Sequence, residues 1–290
     1  TYYNAISALK TGDTTSAIRL YKAVVESAVA SYQEAALIFL ARQYYKLGDF
    51  ELSNPYYKML EEIASNNSLK REEIIRLMYG NENTNSDLAF TYAQKVVGLE
   101  KTDDWLLSKA TIIIARNEFE NGNYAKSRTT FEKVEQLSKY DEGAEAKYYL
   151  AYLTYLDDSL QLAEQMIFQL AEQYSSDHFI AKAFLLLADI YIVQDNNFQA
   201  KATLESIIEN HDGEDLINLA RKQWEQIVER ETLKNAIKEQ PQSYIEISEE
   251  EIDYDLEELS NTENSQGIIA EINIEKYADS KINNLKDDNL

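Results

Sequence analysis

The side chains able to do chemistry are few, and their spacing is unhelpful to catalysis. His178 and His211 are the only histidines, and the chain has no cysteine. Thiolate catalysis, a disulfide framework and Cys-ligated zinc are therefore excluded. A Ser–His–Asp relay needs a nucleophile held on a sharp turn, and no such sequence accompanies either histidine. Both fall at junctions between amphipathic stretches, where a histidine most simply sits at a helix end. None of the 8 glycines stands in the G-x-x-x-x-G-K or G-x-G-x-x-G spacing that cradles phosphate. Asn81, Asn83, Asn85 and Asp87 alternate like calcium-loop ligands, but the loop's leading acid, its glycine and its closing glutamate are missing, so a polar turn is expected. Asp103 and Asp104 precede a predicted helix, whose N-terminus carboxylates stabilise. Asn66-Asn67-Ser68 fits a glycosylation sequon. No cofactor, no metal and no catalytic residue is implied.

Composition narrows the elements that must position any site. The 290 residues hold 8 Gly and 2 Pro, about 3% together, against about 12% in an average chain. Sandwiches, barrels and wound sheets need more turn residues than that, so the chain reads as all-helical. Lys plus Arg number 28 against 51 Asp plus Glu, a net charge of −23. Such a balance disfavours nucleic acid and anionic lipid as partners, since both demand basic neutralisation. The longest apolar run, Ala35 to Ala41, is far short of the ~18 residues of a membrane helix, so no direct membrane insertion is expected in this segment. The acids are uneven: residues 241–290 hold 14 acids and 3 bases. That stretch, opening at Pro241, is expected to be a largely disordered acidic tail.

A repeat organises the rest. Small residues Ala17, Ser53, Ala89, Ser127, Ala163 and Ala200 recur at spacings of 36, 36, 38, 36 and 37. Four residues after each stands Tyr21, Tyr57, Ala93, Phe131, Ile167 or Leu204, and three further on Val24, Leu60, Val96, Val134, Leu170 or Ile207. This spacing places all three on one face of a helix. A turn precedes each small residue, with Gly12, Gly48 and Gly122, or Asp157-Asp158 and Asp195-Asn196, supplying the bent backbone. On the preceding helix, Leu40-Ala41, Ile114-Ala115, Leu150-Ala151 and Leu187-Ala188 align as a second contact point. No unit of this size buries its apolar face alone, so the stack is what folds. The third repeat lacks the turn glycine. Pro55 is expected in the first turn of its helix, capped by Asn54.

These residues resemble the tetratricopeptide repeat family over about 1–210, and within it residues 142–210 are similar to bacterial cell-envelope members. Outer-membrane assembly lipoproteins, Tol–Pal coordinators and large repeat proteins of the Bacteroidetes envelope are the nearest likenesses. The resemblance implies an α-solenoid of about six helix pairs over 1–212, a capping helix over 213–240 and the acidic tail over 241–290. Thr1 is followed by no leader signal, and the first repeat lacks the front of its first helix. The C-terminal part of a longer solenoid is therefore expected. The family's groove-facing positions fall on Arg42 and Tyr45, on Arg116 and Phe119, on Tyr148, Tyr152 and Tyr155, and on Lys182 and Asp189. The tyrosines either face a partner or fill helix seams, and both remain open.

The function implied is non-catalytic: a scaffold or adaptor that holds a protein or peptide partner in the groove, in bacterial envelope assembly. The compartment stays open, with the periplasm or outer membrane favoured by resemblance. Two other readings are regulation by the tail, with Tyr244–Leu259 covering the basic groove residues, and an accessory solenoid for an enzyme in a missing N-terminal part.

Overall fold

The computed structural model describes residues 1–27 and 29–238; the expectation for 241–290 falls outside them. The chain divides into two compact units, of which the first is Thr1–Ala220. Thirteen helices and no strand occur among the described residues. The first helices of the six pairs are α1 (Tyr2–Lys10), α3 (Ala30–Lys46), α5 (Asn67–Asn81), α7 (Asp104–Glu120), α9 (Asp141–Leu156) and α11 (Asp177–Val193). Their partners are α2 (Thr14–Glu26), α4 (Phe50–Ile63), α6 (Ser86–Val97), α8 (Tyr124–Leu137), α10 (Leu160–Gln173) and α12 (Asn197–Asn210). A longer helix, α13 (Glu214–Lys238), follows, with Leu216 and Ala220 buried in the first unit. No described helix is long and apolar enough to cross a membrane.

The register read from the sequence is the register of the core. All six small residues, from Ala17 to Ala200, are 0–1% exposed, and the twelve residues four and seven positions on are all buried. Leu40, Leu150 and Leu187 are buried with their alanines, whereas Ile114 is only half-buried and Ile113 beside it takes the core position. Burial of each such side chain contributes roughly 1.5–3 kcal/mol, with small residues setting how closely the helices approach.

Five of the six turns are one device. Three residues join the helices, and the middle one is left-handed: Gly12 (φ 78°), Gly48 (75°), Gly122 (73°), Asp158 (59°) and Asp195 (54°). The next residue's N–H then reaches back to a carbonyl of the first helix, as Asp49 does to Tyr44 and Asn196 to Tyr191, at 2.8–3.1 Å throughout. This satisfies carbonyls that the helix end would leave orphaned. The third pair departs from it. Four residues, Glu82 to Asn85, join α5 to α6 with no left-handed residue among them, and the Asn85 N–H donates to the Asn81 carbonyl at 2.8 Å. An extra residue does there what a positive φ does elsewhere.

Pro55 corrects the expectation made for it. Helix α4 starts at Phe50 and is capped by Asp49, whose side chain accepts from the Leu52 N–H. Pro55 therefore sits inside the helix. Its missing N–H frees the Glu51 carbonyl, and both residues lie on the exposed side where water can solvate it. Asn54 is used differently: its Nδ2 donates to the Gly80 carbonyl at 3.0 Å.

Candidate functional site

The first helices form the inside of the stack. α9 packs directly on α7 and α11, while no comparable contact joins one second helix to another. The spacing along this inner side is uneven. The first turns of α9 and α11 carry Gly143, Ala144, Ala146, Ala181 and Ala183, all small enough for backbones to approach. A Cβ on Gly143 would lie 2.1 Å from the Ser138 carbonyl oxygen, so the link from α8 passes hard against the start of α9. The first turns of α5 carry Lys70, Arg71, Glu72 and Glu73 instead, and α5 makes no comparable contact with α3 or α7.

The space so left is a cleft of about 880 Å³ between α3, α5 and α7. Arg42 and Tyr45 line it as expected, joined by Lys46, Arg71, Arg76 and the exposed Trp105. Arg42 holds Glu72 with two bonds, Nε–Oε1 at 2.8 Å and Nη2–Oε2 at 2.5 Å. Those bonds keep the Glu72 carboxyl below its ordinary pKa, against the effect of burial. Arg76 lies over the Tyr45 ring, 4.4 Å from its centre. Arg71 donates to the carbonyls of Glu100 and Lys101 at 2.9 and 3.4 Å. Asp103 caps α7 by accepting from the Leu106 N–H at 2.8 Å. The Tyr79 hydroxyl, also in the lining, is buried without a hydrogen-bond partner, and burial pushes its pKa up to about 12.

The remaining expected groove residues are brought together elsewhere, in a packed cluster. Phe119, Tyr148 and Tyr155 are 8%, 1% and 9% exposed, and Asp189 is 6% exposed. Tyr152 is half-buried, with its ring 5.9 Å from Phe119 and 6.4 Å from both Tyr148 and Tyr155. Tyr149 stacks on Phe131 at 4.6 Å. Lys182 lies over the Tyr148 and Phe179 rings at 4.9 and 5.7 Å, and burial pulls its ammonium down to about 8. Arg116 is committed to Glu145, at 2.5 and 2.6 Å, and to Glu82 at 2.8 Å. Burial works against the Arg116 charge, but the two carboxylates outweigh it and raise its pKa. Arg116, a groove-facing position by the resemblance, is thus occupied by the chain's own acids. The buried tyrosines, for their part, fill seams between helices.

Lys46 and Trp105 were not among the expected groove residues, and neither were Arg71, Arg76 and Tyr79 of the third repeat, whose missing turn glycine left its register without an anchor. Their signal was present: Arg71, Ile75, Arg76 and Tyr79 recur at helical spacing on one face of α5. The same helix buries Glu73, 1% exposed with Oε2 unpartnered, and burial with Glu61 nearby pushes its carboxyl up to about 7. Of the histidines, His178 lies in the first turn of α11 and His211 directly follows α12, its Nδ1 2.5 Å from Asp177 Oδ2. Among the described residues, no three of His, Asp or Glu converge as metal ligands.

Residues 182–213 match the family model of the tetratricopeptide repeat. Solved structures similar to the chain include the MamA protein, 15% identical, covering 62% of this chain and 92% of that one with a TM-score of 0.48. A tetratricopeptide repeat protein from Parabacteroides merdae is 16% identical, covering 83% and 92% with a TM-score of 0.49. The TPR domain of P58(IPK) is 14% identical, covering 78% and 64% with a TM-score of 0.36. No curated protein matches the chain.

Proposed function

We propose that this tetratricopeptide-repeat solenoid is a non-catalytic scaffold that holds a segment of a protein partner on its inner side, at the α3–α5–α7 cleft. One observation carries the reading: the cleft, where α5 stands apart from α3 and α7, pairs an exposed Trp105 with four cations in a chain of net charge −23. Aromatic and arginine side chains at the centre of a concavity are the residues on which binding energy concentrates. The assembly of a bacterial envelope is the setting we assign, supported by the sequence resemblance of residues 142–210.

The test is a photo-crosslinking residue placed at Trp105 or at Phe198, an 80% exposed aromatic on the second helix α12. Irradiation of cells carrying either version should give a discrete adduct from position 105 and none from 198. An adduct from 198 alone would move the working surface to the outer helices.

A further inference from the structure

The cleft has a charge asymmetry that specifies its occupant. Four cations line it, Arg42, Lys46, Arg71 and Arg76, against two carboxylates, Glu72 and Asp103, whereas the whole chain has 28 bases for 51 acids. Both carboxylates are already engaged. Glu72 is held by Arg42, and Asp103 caps α7. Three of the cations form no ion pair at contact distance: Arg71 meets backbone carbonyls, Arg76 lies on a tyrosine ring with Glu72 acting on it only through space, and Lys46 is exposed. The cleft therefore presents net positive charge beside an apolar surface.

We infer that the cleft takes an extended acidic segment of the partner, its carboxylates meeting Lys46, Arg71 and Arg76 while an aromatic or aliphatic side chain covers Trp105. This rests on the groove reading above and adds the chemistry of the occupant. From Arg71 to Tyr79 the helix rises ~12 Å, which an extended chain spans in ~4 residues. The guanidinium of Arg71 suits a carboxylate in its plane, and the exposed pairs steer encounter more than they hold it. Binding is accordingly salt-sensitive, and its loss on mutation of the cations is moderate.

The experiment selects a displayed library of random short peptides on the intact chain, on Lys46→Glu with Arg71→Gln, and on Trp105→Ala. Circular dichroism and melting confirm that each variant folds. The parent should enrich peptides rich in Asp and Glu that also carry an aromatic or leucine. The best of these should bind about tenfold more weakly to either variant, and more weakly in high salt. The charge-altered variant should no longer enrich acids. Enrichment of neutral or basic peptides that still depend on Trp105 would overturn the acidic occupant and leave the groove reading standing. Enrichment of peptides indifferent to Trp105, or of none, would overturn both.

Discussion

Helices α5 and α9 hold the same place in their repeats and are built to opposite ends. In α9 the buried charges are all paired: Glu145 with Arg116, Lys147 with Glu135, and Glu142 with Lys109. It packs on both neighbouring first helices, with Ala144, Ala146, Ala181 and Ala183 buried, and its tyrosines complete the seams. In α5 the same inner side carries long charged side chains and a tyrosine hydroxyl without a partner, and its other side, toward Glu61 and Lys95, buries the Glu73 carboxyl. One helix spends its inner face on packing, whereas the other leaves it open. Within a repeat array each unit contacts only its neighbours, so a loosely packed unit is tolerated. The contrast teaches that tyrosines at equivalent groove-facing positions stay accessible only where the adjacent helices stand apart.

The contrast breaks most visibly on truncation. Tyr148→Ala removes a fully buried ring and should cost about 4 kcal/mol, while Trp105→Ala should cost less than about 0.5 kcal/mol. Urea midpoints of the two variants check this, and equal losses would erase the distinction. Next comes charge. Arg116→Ala strands Glu145, whose side chain is only 6% exposed, and should cost about 3 kcal/mol. Arg42→Ala removes a 56% exposed partner and should cost under about 1 kcal/mol.

A pH comparison sharpens the account of α5. The folded pKa of Glu73, about 7, lies above its ordinary 4.5, so the native chain keeps a proton that the unfolded chain has lost. The stabilisation is complete below about pH 4.5 and is lost as pH rises through about 7. Glu73→Gln should therefore be nearly neutral at acid pH and stabilising by on the order of 3 kcal/mol at pH 8. Melting temperatures at the two pH values test the sign; a variant less stable than the parent at both would refute the buried, protonated carboxyl. The smallest effect concerns a turn. Asp158 adopts φ 59°, and Asp158→Gly should gain about 0.5 kcal/mol, visible as a slightly raised melting temperature.

Much of this fold was legible because helix spacing converts directly into a face. The eighteen repeat positions, from Ala17 to Ile207, are buried as their register requires, and Asp158 and Asp195 take the turn position that glycine holds elsewhere. Depth was not legible. Spacing puts Tyr148 and Tyr45 on equivalent faces, but the distance to the next helix depends on what that helix carries, Ala181 and Ala183 in one case and Arg71 and Glu72 in the other. Pro55 misled for a related reason: its rule concerns the backbone bond it breaks, and whether water can replace that bond depends on exposure. The capping role of Asp49 was similarly concealed by attention to Asn54.

The most direct measurement is amide hydrogen exchange along the whole chain, with and without an acidic peptide recovered by selection on it. Exchange should slow in α5 and at the start of α7, around Asp103 to Leu107, with α9 and α11 unchanged. Protection of α9 and α11 with none in α5 would contradict the account, returning the site to Tyr152 and the repeats that pack around it.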